Sequence, residues 1–234
     1  MPRIGVFVGS SPLPMMAEPM SVDLHTPWGA ASATPRLYTV GEYDYLVMPR
    51  HGEQHEFAPH QINYRANIWL MHSLAVDGLL GTYTVGSVDP VLAVGQLVVP
   101  DQLIDYSWGR ASTFDDRVRH IEFTEPYDRT LRQTLLSAEP LLIDGGVYAC
   151  TQGPRLETAA EIKRLAQDGA TLVGMTGMPE TALARELDLP FAALCLVVNP
   201  AAGVSDDVID MQALAEISAT GGARMVDVLN QLAA

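Results

Sequence analysis

What most constrains the fold of this chain is one recurring pattern: a short apolar, strand-forming run stops at a glycine or a polar residue, and helical sequence follows. "RIGVFVG" (3–9), "YLVMPRHG" (45–52), "LLGTYTVGS" (79–87), "VYACTQG" (147–153), "TLVGMTG" (171–177) and "FAALCLVV" (191–198) all read as strands. Residues 63–74 place Ala66, Trp69, Leu70 and Leu74 on one helical face, with a stop at Gly78. "RLETAAEIKRLAQDG" (155–169) reads as a helix stopped by Gly169, Pro179 opens the helix "ETALAREL", and 211–234 is amphipathic helix. Strands alternating with helices predict an α/β domain with a central mixed, largely parallel sheet flanked by helices. No internal repeat, low-complexity tract or linker interrupts the pattern, so residues 1–234 are expected to form one domain.

The same pattern says where a ligand would gather. In open α/β sheets, sites lie beyond the carboxyl ends of strands, where loops deliver side chains and helix N-termini supply partial positive charge. The strand ends here carry Ser10, Arg50, His51, Tyr83, Thr84, Gly86, Gln152, Met175, Thr176 and Asn199. This set is polar and almost free of acids, which suits a small anion. A formal net charge of −14 argues against nucleic acid as a partner, because a phosphate backbone requires a basic surface. No apolar run approaches the roughly 20 residues of a membrane span, and no convincing cleavage site follows the N-terminal apolar run. The expected location is therefore cytoplasmic. Cys150 and Cys195 each sit in apolar sequence and read as buried, reduced thiols.

Single motifs allow two readings each. Arg50 and His51 supply two donors after a strand, or form a solvated turn. His55 and His60 follow them, but the spacing is not that of a helical zinc site and Glu or Cys ligands are absent at useful positions, so no metal is expected. Thr176 either binds an oxyanion or organises the chain entering the next helix. Glu157, placed in a first helical turn, either favours the helix dipole or accepts a ligand N–H.

Taken together, "MPRHGEQHEFAPHQINYRANIW", "GMTGMPETALARE" and "VVNPAAG" resemble the trimeric purine nucleoside phosphorylase and methylthioadenosine phosphorylase family. Within it the chain is most similar to the S-methyl-5'-thioinosine phosphorylases. The likeness runs from Ile4 to about Gly203, with the C-terminal helix a looser fit. It implies the nucleoside phosphorylase fold, a homotrimer, and a pentosyl transfer in which inorganic phosphate splits a purine nucleoside into free base and ribose 1-phosphate. No metal or organic cofactor is implied. Position by position, Ser10, Arg50, His51, the backbone of Tyr83 and Thr84, and Thr176 would hold phosphate. Met175 would lie against the sugar, Leu156 against the base, and His120 would reach a neighbouring subunit's site. Tyr83 departs from relatives, which commonly carry a small Thr or Asn there.

Relatives that act on adenosine-type substrates place Asp at position 199 and again two residues later, where this chain has Asn199, Pro200 and Ala201. An amide at 199 donates to purine N7 and a 6-oxo oxygen, and Glu157 accepts the N1–H that a 6-oxopurine has and adenine lacks. A mispaired buried polar site discriminates by about 10⁴ to 10⁵. No C-terminal histidine is available for a 5'-hydroxyl, and Met211 and Leu214 suggest an apolar lining for a methylthio group. The expected reaction is phosphorolysis of S-methyl-5'-thioinosine to hypoxanthine and 5-methylthioribose 1-phosphate. Alternatives are a broader 6-oxopurine nucleoside phosphorylase, a methylthioadenosine phosphorylase, a water-using nucleosidase and a nucleoside-binding protein with weakened catalysis.

Overall fold

The computed structural model describes residues 1–109, 111–114, 116–206 and 209–233. Its strands are β1 (Arg3–Val8), β2 (Glu18–Pro19), β3 (His25–Thr26), β4 (Gly29–Ala30), β5 (Arg36–Val40), β6 (Tyr43–Pro49), β7 (Gly78–Ser87), β8 (Leu97–Val99), β9 (Gln102–Asp105), β10 (Ile143–Asp144), β11 (Val147–Cys150), β12 (Leu172–Gly174) and β13 (Phe191–Pro200). The α-helices are α1 (Tyr64–Ser73), α2 (Arg129–Ala138), α3 (Ala159–Gln167), α4 (Gly177–Glu186) and α5 (Met211–Leu232). One sheet runs β10-β8-β13-β7-β1-β6-β5-β2, and β12 joins β7 to β11 and β9, while β3 and β4 pair apart. The centre is parallel, through β13–β7, β7–β1 and β1–β6. Antiparallel pairs occur at β2–β5, β5–β6, β8–β13 and β7–β12. This is the mixed, largely parallel α/β sheet that the alternation of strands and helices predicts.

The apolar run of β13 is uninterrupted because both of its faces are covered. Ala193, Cys195 and Val197 join the core that holds Ile68 and Met71 of α1 and Leu183 of α4. The alternate residues Ala192, Leu194, Leu196 and Val198 join the opposite core with Met225, Val228 and Leu229 of α5. The period of two distributes one strand between two layers, and each fully buried Leu or Val contributes about 1.5–3 kcal/mol.

Three local expectations change. α1 ends at Ser73, and the chain reverses at Ala75 (φ 54), while Gly78 opens β7 instead of stopping the helix. The Asn63 side chain caps α1 on Ala66 N–H, and the buried face runs through Tyr64, Asn67, Ile68 and Met71, so Trp69 falls to one side, only half-buried. α3 begins at Ala159, because Thr158 is its N-cap and Glu161 closes a capping box. Glu157 therefore precedes the helix and does not serve its dipole. No α-helix among the described residues is long and apolar enough to cross a membrane.

Candidate active site

The strand ends converge on a cavity of about 840 Å³. The turn after β1 brings Ser10; β6 delivers Arg50 and His51; β7 supplies Tyr83 and Thr84; the turn after β12 adds Met175 and Thr176. Leu156 and Glu157 enter from the loop before α3, Asn199 and Ala201 from the end of β13, and Met211 and Leu214 from α5. Three of the anticipated residues do not line it. Gln152, whose Oε1 accepts from the Trp108 N–H (3.0 Å), borders smaller cavities. Pro200 instead accepts a hydrogen bond at its carbonyl from Asn199 Nδ2 (2.6 Å). His120 is exposed on the segment before α2 and lies outside the cavity of its own chain.

Arg50 is fully buried, and most of its fork is committed to the protein. Nε donates to Glu180 Oε1 (2.8 Å), Nη2 to Glu180 Oε2 (3.0 Å) and the Phe7 carbonyl (3.1 Å), and Nη1 to the Thr82 carbonyl (2.7 Å). A guanidinium has five N–H groups, so one on Nη1 is left for a ligand. Burial disfavours the charged form, but the Glu180 carboxylate and the Tyr83 oxygen outweigh it and hold Arg50 protonated. Glu180, itself fully buried, is the functional-site residue that sequence reasoning missed. The signal was present in "GMTGMPE", where an acid follows the candidate oxyanion-binding Thr176, yet nothing local tied it to an arginine 130 positions away.

The side chain of Tyr83 is committed within the protein. Its hydroxyl donates to Glu180 Oε2 (2.7 Å), the Arg50 guanidinium lies 4.6 Å from its ring centroid, and Tyr148 packs 5.4 Å away. A side chain at Gly81, two residues earlier on the same strand face, would run into the Tyr83 hydroxyl, so glycine there makes room for the ring. Position 83 thus has only its backbone to offer an anion. Ser11 is likewise committed, donating to the Ser218 carbonyl of α5 (2.5 Å), whereas Ser10 is exposed at the cavity. Thr176 occupies the N-cap position of α4 without a side-chain capping bond, so its hydroxyl stays available.

His51 Nδ1 lies 2.8 Å from the Phe57 carbonyl. A carbonyl only accepts, so Nδ1 carries the hydrogen and Nε2 of the neutral ring holds a lone pair. Burial lowers the His51 pKa to about 4, helped by Arg50 and the stacked His55 ring (4.3 Å) against the opposing Phe57 bond. No group of three or more His, Cys, Asp or Glu side chains set to hold a metal occurs among the described residues. Both cysteines are buried free thiols, with burial pushing Cys150 up to about 12 and Cys195 higher still.

At the other side of the cavity, the register of β13 against β7 shifts between Val197 and Asn199, so two residues oppose one. Such a bulge re-aims the next side chain, and Asn199 leaves the strict alternation that sends Val197 into the core. Its bond to Pro200 commits one Nδ2 hydrogen, so the amide cannot donate to two purine atoms as the sequence suggested. One N–H and the Oδ1 acceptor remain. Glu157 Oε1 accepts from the Thr151 hydroxyl (2.5 Å).

Residues 3–233 match the family described as "Phosphorylase superfamily", and the chain belongs to that family. Within it, the chain is 49% identical over 199 residues to a probable S-methyl-5'-thioinosine phosphorylase of Pseudomonas syringae pv. tomato, covering 82% of this chain and 81% of the relative. It is 44% identical over 189 residues to the S-methyl-5'-thioadenosine phosphorylase of Mycolicibacterium smegmatis, covering 80% and 73%. Its fold superposes on the methylthioadenosine phosphorylase of Schistosoma mansoni in complex with adenine with a TM-score of 0.91 at 26% identity, covering 100% of this chain and 91% of the other.

Proposed function

We propose that the protein catalyses phosphorolysis of S-methyl-5'-thioinosine to hypoxanthine and 5-methylthioribose 1-phosphate, a pentosyl transfer of purine salvage. The observation that carries this reading is Asn199 with no acid at 199 or 201, facing the same cavity as Glu157 and the Arg50 set. Phosphate, held by Ser10, Thr176, the 83–84 backbone and the remaining Arg50 N–H, with the His51 Nε2 lone pair accepting from the O–H of HPO4²⁻ and not donating as the sequence suggested, attacks the anomeric carbon as the bond to N9 breaks. Rate comes from positioning and from charge placed in advance near the cationic sugar. The departing base is protonated at N7 from water while HPO4²⁻ gives up its proton as the sugar phosphate forms, so the proton count balances. Asn199 donates its free N–H to the 6-oxo oxygen and accepts at Oδ1 from the protonated N7, while Glu157 accepts from N1–H. Met175 lies against the sugar, Leu156 against the base, and Met211 and Leu214 line the methylthio end.

The reaction requires inorganic phosphate as co-substrate and no metal or organic cofactor. The working unit is a cytoplasmic homotrimer in which His120 reaches a neighbour's site. The test is kcat/KM for S-methyl-5'-thioinosine, inosine, guanosine and S-methyl-5'-thioadenosine with phosphate. S-methyl-5'-thioinosine should lead. Preference for S-methyl-5'-thioadenosine, the reading favoured by the mycobacterial relative's name, would overturn the Asn199 and Glu157 argument, and equal use of inosine would replace it with a broad 6-oxopurine phosphorylase. Base release independent of phosphate would mark a nucleosidase, and binding without turnover a nucleoside-binding protein.

A further inference from the structure

We infer that Thr151 is a positioning residue that sets purine specificity by fixing one oxygen of the Glu157 carboxylate, so that the other is presented to the nucleoside cavity. The inference rests on the phosphorylase reading and goes beyond it by naming what keeps the acceptor in place. Thr151 follows β11 and is pinned by its own N–H, which donates to the Gly174 carbonyl (2.9 Å). Its hydroxyl has one proton to give, and Glu157 Oε1 takes it at 2.5 Å; the Gly174 carbonyl, at 3.5 Å, is too distant to compete. Among the described residues no second hydrogen bond holds the Glu157 carboxylate, and the Arg155 charge acts on it only through space. The α3 capping box uses Thr158 and Glu161, and Arg155, two residues before Glu157, is paired with Glu161 through both terminal nitrogens (2.9 and 2.7 Å).

Glu157 has somewhere else to go. It forms part of the wall of the main cavity and of a second, smaller one of about 290 Å³, lined also by Thr151, Gln152 and Arg155. Without the hydroxyl, the carboxylate can turn into that space toward the Arg155 charge, and the nucleoside cavity loses its acceptor. With the hydroxyl, Oε1 is occupied by a donor and Oε2 stays an acceptor. That arrangement accepts an N1–H and opposes the bare N1 lone pair of a 6-aminopurine.

The test compares wild type with Thr151→Val, which removes the hydroxyl at nearly constant volume, and Thr151→Ser, which keeps it. The readouts are kcat/KM for S-methyl-5'-thioinosine and S-methyl-5'-thioadenosine, and KM for phosphate. A hydrogen bond to a charged group corresponds to roughly a 10- to 100-fold effect, so Thr151→Val should lower the 6-oxo over 6-amino ratio by about that factor. Phosphate KM should stay unchanged, and Thr151→Ser should restore the ratio. An unchanged ratio in Thr151→Val overturns the inference, as does an equal loss on both nucleosides accompanied by a shifted phosphate KM. A wild type that phosphorolyses neither nucleoside instead refutes the reading on which the inference rests.

Discussion

At the scale of single residues, the site is governed by a charge that is already compensated. Arg50 and Glu180 form a buried bidentate pair, and Tyr83 adds a third donor to the carboxylate. Removing one member of a buried pair strands the other, at a cost of about 3–5 kcal/mol. Glu180→Gln should therefore lower the unfolding free energy by an amount of that order, whereas Tyr83→Phe, which keeps the ring under Arg50, should cost less and show mainly as a raised phosphate KM. Denaturant unfolding with parallel kinetics checks both, and a Glu180→Gln protein as stable as wild type would contradict the pairing. His51 gives a pH signature. Folded, the ring holds its extra proton only below about pH 4, while unfolded it does so below its usual 6.5. Between these values the unfolded state binds more protons, so this contribution to stability is complete above pH 6.5 and is lost as the pH falls toward 4. His51→Asn should flatten that limb of the Tm–pH curve measured without phosphate; identical limbs would mean that the ring is not held neutral. Asn199→Asp supplies an acid that can protonate N7 and accept from a 6-amino group, and should move preference from 6-oxo toward 6-amino nucleosides. An unshifted preference, or untouched turnover, would show that Asn199 does not read the base.

At the scale of elements, two devices turn strands into a site. The bulge in β13 changes the phase of the chain between Val197 and Asn199, so a strand that is otherwise core ends in a polar side chain lining the cavity. Helix α5 closes the opposite wall by packing on the loop after β1, where Ser11 bonds the Ser218 carbonyl. A methyl group at Gly222 would collide with the Pro12 carbonyl, so Gly222→Ala must push the helix off that loop. The expected result is a loss of about 1–3 kcal/mol in stability, as for other overpacked contacts, together with a raised phosphate KM because Ser10 shares the loop. An unchanged Tm and KM would show that α5 tolerates the shift. The elements were legible in sequence where the period was strong: β1, β7 and β13 appear almost as read. The α1 terminus and the start of α3 were not, because Ala75 has no intrinsic preference for its left-handed turn and the capping box at Thr158 competes with a plausible helix start at Arg155.

At the scale of the whole molecule, the cavity is assembled from strand ends scattered between Ser10 and Asn199, with one wall from α5. The expected partner subunit belongs here. Trp108 and Val118, 77% and 88% exposed, precede His120 on the same stretch of chain, and large exposed apolar groups there suit coverage by another copy. Sedimentation should give a trimer, and an active monomer would remove His120 from the mechanism. The sequence by itself determined the alternation of strand and helix, the strand ends that meet at the cavity, and the presence there of an amide at 199 and a carboxylate at 157, because these follow from local periodicity and from the chemistry of one side chain at a time. Only the tertiary structure decided that Arg50 shares its charge with Glu180, that Tyr83 turns away to support that pair, that Thr151 holds Glu157, and that Asn199 keeps a single free N–H. Each of those depends on groups brought together from distant elements or on the geometry of a bulge, and hydrogen-bond partnership across such distances leaves no periodic trace in the chain.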